Sequence, residues 1–393
     1  MKYKKAFDSL EYKNRLSKVK TIMNEKGFDM LICQDPANMC WLSGFDGWSF
    51  YTPQALIIHV NEDWPVWFGR EQDAKSATIT TDIPQENIIS FSEPLVHHET
   101  LHPFDELCDY IKSRKWETNV IGVDFDAHYF TARAYKHLYV GLPNANLLDN
   151  KELVNWARLI KSPKELEYMR EAGAICTNTM RSALDKICPG VPEYEIISEI
   201  YKNQINGVNG VYGDYTGLCP LIQVGDKTST PHLTWSEEPL PKEGLVVLEI
   251  GSARRHYNVP LTRTSYIGKV PQVVSSLAST IIEAGDKAFE IAKPGVTCAE
   301  VESIWQKELN KNGYEKKSRV GYSIGLNFPP DWGERTASLR VGDNTILKEG
   351  MCFHFQSGVW LDKFGAAISE SISIGKNGAE RFCNVERKLF NII

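Results

Sequence analysis

The run Leu245-Val246-Val247-Leu248-Glu249-Ile250 constrains this chain more than any other stretch. It puts one carboxylate inside an otherwise apolar, β-branched segment of strand length, which normally lies in a sheet interior. An unpaired buried charge is strongly unfavourable, so Glu249 must be paired, hydrogen-bonded or shifted in pKa. Gly251-Ser252 are expected to break this strand. Val259-Pro260-Leu261-Thr262-Arg263-Thr264 is then expected to return beside it as a second strand. Taken alone, the hairpin favours a structural Glu249 ion-paired to Arg263 or another nearby arginine. The material on either side argues for a catalytic carboxylate.

A chain of 393 residues exceeds one ordinary domain and carries enough apolar residues for two cores. Its formal net charge of −6 is mild and its Lys and Arg are scattered, which argues against nucleic acid or an anionic membrane surface as the main partner. The first residues, MKYKKAFDSLEYKNRLSKVK, are charged and amphipathic without the apolar core of a secretory signal. Apolar runs such as Ala55-Leu56-Ile57-Ile58 fall far short of the roughly 20 residues that span a bilayer. A cytoplasmic protein without membrane contact is expected. The nine cysteines form no C-x-x-C pair and are odd in number, which fits reduced thiols, and the nine histidines show no compact metal-ligand spacing.

Asp8 or Ser9 can cap a helix that presents Leu16, Val19, Ile22 and Met23 at helical spacing and ends at Gly27. Strand-like segments at 29–33, 54–59, 65–68, 120–123 and 146–148 then mix with helix-like segments at 104–113 and 131–140, as in a small α/β domain. No Gly-rich phosphate loop interrupts them. Between them lies an aromatic-rich segment in which Trp41 and Phe45 read as core. Trp48, Phe50 and Tyr51, on a loop hinged by Gly44 and Gly47, suit a flat or cationic ligand. From about Lys151 the character changes. A long helix opening at Ser162-Pro163 and stopped by Pro189-Gly190 is followed by a second over 193–205 and a strand over 218–224. Helices over 271–291 and 297–310 repeat that pair.

The order of features from Ile160-Lys161-Ser162 through Pro231-His232, Pro260-Leu261-Thr262-Arg263-Thr264, Gly321-Tyr322-Ser323-Ile324-Gly325 and Gly350-Met351 to Glu370 resembles the pita-bread family of creatinase, aminopeptidase P and prolidase. The segments NMCWLSGFDGWSFY, TPHLTW, FPPDWGERTASLR and FHFQSGVW are similar to those of its ectoine-hydrolysing members. The resemblance covers the whole chain. It implies an α/β creatinase-like N-terminal domain over 1–154 and an α+β pita-bread catalytic domain over 155–393.

Family metallopeptidases hold two metal ions with five side chains. By resemblance these positions fall on Glu249, Pro260, Tyr322, Gln356 and Ser369, with Glu370 one place along if the register slips. At most two carboxylates survive, too few for hard divalent ions, so no metal or other cofactor is expected. Ectoine is a cyclic amidine bearing a carboxylate. Its amidinium would be repelled by two cations and attracted by one carboxylate, and its electrophilic carbon needs no Lewis acid.

The resemblance therefore implies metal-independent opening of the ectoine ring to N-acetyl-diaminobutyrate, with hydroxyectoine a further candidate; another creatinase-like amidine or guanidine hydrolase, a Xaa-Pro metallopeptidase and a non-catalytic pita-bread binding module are the alternatives. Glu249 would activate water or attack directly, and His232 would shuttle protons. Tyr322 and Gln356 would bond the ring nitrogens or the tetrahedral centre. Arg335 would take the substrate carboxylate beside Glu334 and Glu370. Trp48, Phe50 and Tyr51 match the segment that reaches the partner subunit's site in creatinase-like homodimers.

Overall fold

The computed structural model describes residues 3–393, which divide into two compact units at Arg158/Leu159. The N-terminal unit is built on a six-stranded sheet. In spatial order its strands are Ile88–Phe91, Val66–Arg70, Ala55–His59, Met30–Cys33, Val120–Val123 and Asn146–Asp149. Antiparallel pairing at the centre gives way to parallel pairing at both edges, the mixture expected of an α/β unit. The first helix, Ser9–Lys26, starts where Asp8 accepts the backbone N–H of Glu11 and stops at left-handed Gly27. Trp41 and Phe45 are buried, as expected, but Trp41 sits in a short helix, Pro36–Ser43, capped by Asp35.

The C-terminal unit carries the two expected helix pairs, Pro163–Lys186 with Glu193–Asn206 and Gln272–Ile291 with Cys298–Lys311. A four-stranded sheet contains the hairpin, and a five-stranded antiparallel sheet stands against it. No helix among the described residues is long and apolar enough to cross a membrane.

The hairpin differs from expectation in one respect. Gly251-Ser252 do not break the first strand, which runs unbroken over Gly244–Arg254 beside Tyr257–Ile267. The reversal falls at Arg255 and His256, both with positive φ (52° and 63°), the two-residue turn whose twist matches the flanking strands. Gly251 is needed for close approach instead, since a Cβ there would stand 2.9 Å from the Trp332 ring. Pro260 is tolerated in this interior strand because of where its nitrogen points. The N–H groups two residues to either side, on Asn258 and Thr262, turn away from the first strand toward Gly325 O and Ser369 Oγ, so Pro260 forfeits no bond to that strand.

Arg263, fully buried, ties the hairpin to the rest of the unit. Its guanidinium donates to Glu370 Oε1 at 2.7 Å and to the carbonyls of Thr262, Ser369, Val385 and Glu386 at 2.7–2.9 Å. Burial raises the Glu370 carboxyl, and Arg263 is the largest influence pulling it back down. Removing one partner of such a pair strands the other charge, so Arg263→Ala should lower stability by about 3–5 kcal/mol. Urea unfolding checks this, and a loss of less than about 1 kcal/mol would contradict it.

Candidate active site

A cavity of about 720 Å³ in the C-terminal unit is lined by Glu249, His232, Tyr322 and Gln356, together with Lys316, Arg319, Asp331, Trp332 and Trp360. Glu249 lies on the strand Gly244–Arg254. Tyr322 lies on Gly321–Ile324, and Gln356 directly follows Cys352–Phe355. Antiparallel pairing of the latter two strands sets Gly321 opposite Phe355, which delivers Tyr322 and Gln356 to one end of the sheet. His232 comes from the exposed loop after Ser229.

One hydrogen-bonded chain links the site. Gln356 Nε2 donates to Glu249 Oε2 at 2.9 Å, and Thr262 Oγ1 donates to Gln356 Oε1 at 3.1 Å. The backbone N–H of Thr262 donates to Ser369 Oγ at 2.7 Å, and Ser369 Oγ stands 2.8 Å from His354 Nε2. His354 Nδ1 is 2.9 Å from the Tyr322 hydroxyl, which accepts the Trp332 indole N–H at 2.7 Å. An indole only donates, so the Tyr322 proton is directed to His354 Nδ1 and His354 Nε2–H to Ser369. Burial, reinforced by Lys316 and Arg319, holds His354 neutral by lowering its pKa to about 3. Burial, and secondarily Glu249, raise Tyr322 well above its ordinary value, so it stays a phenol.

Glu249 is buried, and burial lifts its pKa from 4.5 to about 7 against the pull of Lys316 and of the Gln356 hydrogen bond. Its other oxygen, Oε1, accepts no hydrogen bond among the described residues. Arg263, the ion-pair partner that the hairpin favoured, is engaged by Glu370 instead. Burial also lowers Lys316 from 10.5 to about 7, with Glu249 opposing the fall and Arg319 adding to it. The Lys316 ammonium donates to the Gln356 carbonyl at 2.7 Å and lies 5.5 Å and 5.0 Å from the Trp305 and Trp360 rings.

Four of the residues expected in the site from the sequence, Glu249, His232, Tyr322 and Gln356, thus line one cavity. Glu334, Arg335 and Glu370 are not among its lining residues. Glu334 is buried against Lys161 at 2.6 Å, and Glu370 against Arg263. Ser369, not Glu370, joins the site, because successive strand residues face opposite ways. Trp48, Phe50 and Tyr51 lie in the N-terminal unit, where Trp48 and Tyr51 are exposed while Phe50 is buried between Trp48 (ring centroids 4.8 Å apart) and Tyr129 (5.0 Å). Lys316, Arg319, Trp332 and His354 went unrecognised in the sequence. Lys316 and Arg319 belong to Glu315-Lys316-Lys317-Ser318-Arg319, which reads as a solvated charge run.

The five positions that resemblance aligns with metal-holding side chains carry one carboxylate, one amide, one phenol, one hydroxyl and one proline. Hard divalent ions need several oxygen ligands with matching negative charge, so this donor set does not fit a dinuclear centre. Among the described residues no group of three or more His, Cys, Asp or Glu side chains is arranged to hold a metal ion.

A raised carboxyl has a consequence for stability. Between pH 4.5 and about 7 the native state keeps a proton on Glu249 that the unfolded chain releases, so stability falls as pH rises through that window. Glu249→Gln removes the penalty. The melting temperature of the variant should therefore gain on that of the wild type between about pH 5 and about pH 8, and an unchanging difference would contradict a buried Glu249 of raised pKa.

Comparison with known proteins agrees with this architecture. Residues 15–160 match the creatinase/prolidase N-terminal domain, and residues 167–376 match metallopeptidase family M24. An ectoine hydrolase of Halomonas elongata is 40% identical to the chain, with 98% of each covered. A Xaa-Pro dipeptidase of Pyrococcus furiosus is 25% identical, with 96% of this chain and 99% of the dipeptidase covered. The solved prolidase of Thermococcus sibiricus shares the fold with a TM-score of 0.83 at 20% identity, over 98% of this chain and 100% of the prolidase. With family models spanning both units and a 40% identical relative matched over nearly its full length, the chain belongs to metallopeptidase family M24, with a creatinase/prolidase N-terminal domain in front.

Proposed function

We propose that this protein is a metal-independent hydrolase that opens the cyclic amidine ring of ectoine to N-acetyl-diaminobutyrate. The observation that carries the proposal is Glu249, a buried carboxylate with one oxygen fixed by Gln356 and the other left to the cavity. An amidinium entering this site meets a negative group in a poorly hydrated environment. The attraction is strong there, and the cation's charge returns Glu249 to its carboxylate form. Glu249 then either activates a water at the amidine carbon or attacks that carbon to form a covalent intermediate, which water hydrolyses to release the amide product and free Glu249. His232, on its exposed loop at the cavity wall, protonates the departing ring nitrogen. Gln356 keeps Glu249 aimed while its carbonyl engages Lys316.

The relative named as an ectoine hydrolase supports the choice of substrate. The rest follows from the family resemblance: a cytoplasmic homodimer acting in ectoine catabolism, with Trp48, Phe50 and Tyr51 contributing to substrate binding and hydroxyectoine as a second substrate.

The test is turnover of ectoine, hydroxyectoine, creatine and a Xaa-Pro dipeptide by wild type and Glu249→Gln. The swap is nearly isosteric and should spare the fold while lowering ectoine hydrolysis by at least ~100-fold. Wild-type rates in the variant would remove Glu249 from the mechanism. Hydrolysis of creatine or the dipeptide in place of ectoine would replace the substrate.

A further inference from the structure

Two cations face the same cavity as Glu249 without a carboxylate of their own. Lys316 is buried, with one ammonium hydrogen given to the Gln356 carbonyl and the aromatic rings of Trp305 and Trp360 alongside. Arg319, three residues further on, is exposed at the cavity wall. Its guanidinium lies 4.4 Å from the centre of the Tyr322 ring and donates to Ser338 Oγ at 3.2 Å. Among the described residues neither cation forms a salt bridge. The other acid in the lining, Asp331, accepts the Gly333 N–H at 3.0 Å. The cavity therefore offers a negative pole at Glu249 and a positive one at Lys316 and Arg319, with neither neutralising the other by direct contact.

We infer that Arg319 and Lys316 form the subsite that receives the carboxylate of a zwitterionic substrate whose cationic end lies on Glu249. The inference rests on the amidine reading for the identity of the cationic end. A planar guanidinium held over Tyr322, with one terminal nitrogen bonded to Ser338, still has N–H groups to offer both oxygens of a carboxylate, an arrangement an ammonium alone cannot provide. Lys316 faces the same point from the buried side, and an arriving carboxylate favours its charged form there, where little water competes. Arg335, to which the resemblance gave this task, is not among the residues lining the cavity.

The subsite is tested by calorimetric binding of two ligand pairs that differ only by a carboxylate. The pairs are ectoine against 2-methyl-1,4,5,6-tetrahydropyrimidine, and pipecolate against piperidine. Wild type should prefer the acid in each pair. Arg319→Gln should cut that preference by roughly 10- to 100-fold while leaving the carboxylate-free ligand unaffected, the loss of a charge-assisted hydrogen bond pair. Arg319→Lys should keep part of the preference, and Lys316→Met should reduce it independently. Equal affinity within both pairs for wild type, or a preference that survives in Arg319→Gln and Lys316→Met, overturns the inference. A preference for pipecolate that depends on Arg319, with ectoine neither bound nor hydrolysed, upholds the subsite and instead refutes ectoine as the substrate.

Discussion

The site is organised by the free-energy cost of keeping Glu249 in a sheet interior. A carboxylate on an interior strand, almost wholly screened from water, is poorly solvated, and its pKa rises to about 7. Gln356 offsets part of that cost with one hydrogen bond, and Lys316 offsets more by its charge. Neither saturates the group. The remaining unfavourable energy can be relieved by a cationic ligand, which is how a strained ground state becomes a binding site.

The surroundings hold this arrangement rigid. Gln356 is fixed through Thr262, Thr262 through Ser369, and Ser369 through His354 to Tyr322 and Trp332, so the residues around Glu249 are oriented by one another's hydrogen bonds. The buried Arg263–Glu370 pair anchors the hairpin strand that carries Thr262. Gly251 lets the Trp332 ring approach the strand of Glu249, and Trp332 in turn caps Tyr322. A donor set of one carboxylate, an amide, a phenol and a hydroxyl is suited to this neutral network and unsuited to balancing two divalent cations.

Much of this could be read from the residues because short-range chemistry announces it. The apolar run that makes 245–250 a strand, the Ser162-Pro163 helix start and the Gly27 stop each have one natural interpretation, whereas the carboxylate at 249 needed its surroundings to separate a structural from a catalytic reading. The missed features all depend on distant partners. Gly251 looked like a strand break because glycine usually marks one, and only the Trp332 ring, far along the chain, explains it. Lys316 and Arg319 sit in a run of five residues whose local pattern is that of solvated surface, and only the fold turns Lys316 inward. The choice between Ser369 and Glu370 needed the strand's facing, which a one-residue shift reverses.

The central claim is that the family's metal positions have become a hydrogen-bonded site for a cationic ring. Anomalous X-ray scattering at the manganese, cobalt and zinc absorption edges, on crystals grown from protein shown to turn over ectoine, tests it directly. The account predicts no anomalous density beside Glu249, Tyr322 and Gln356. An ordered metal ion among those residues, whose removal abolishes turnover and whose return restores it, would contradict it.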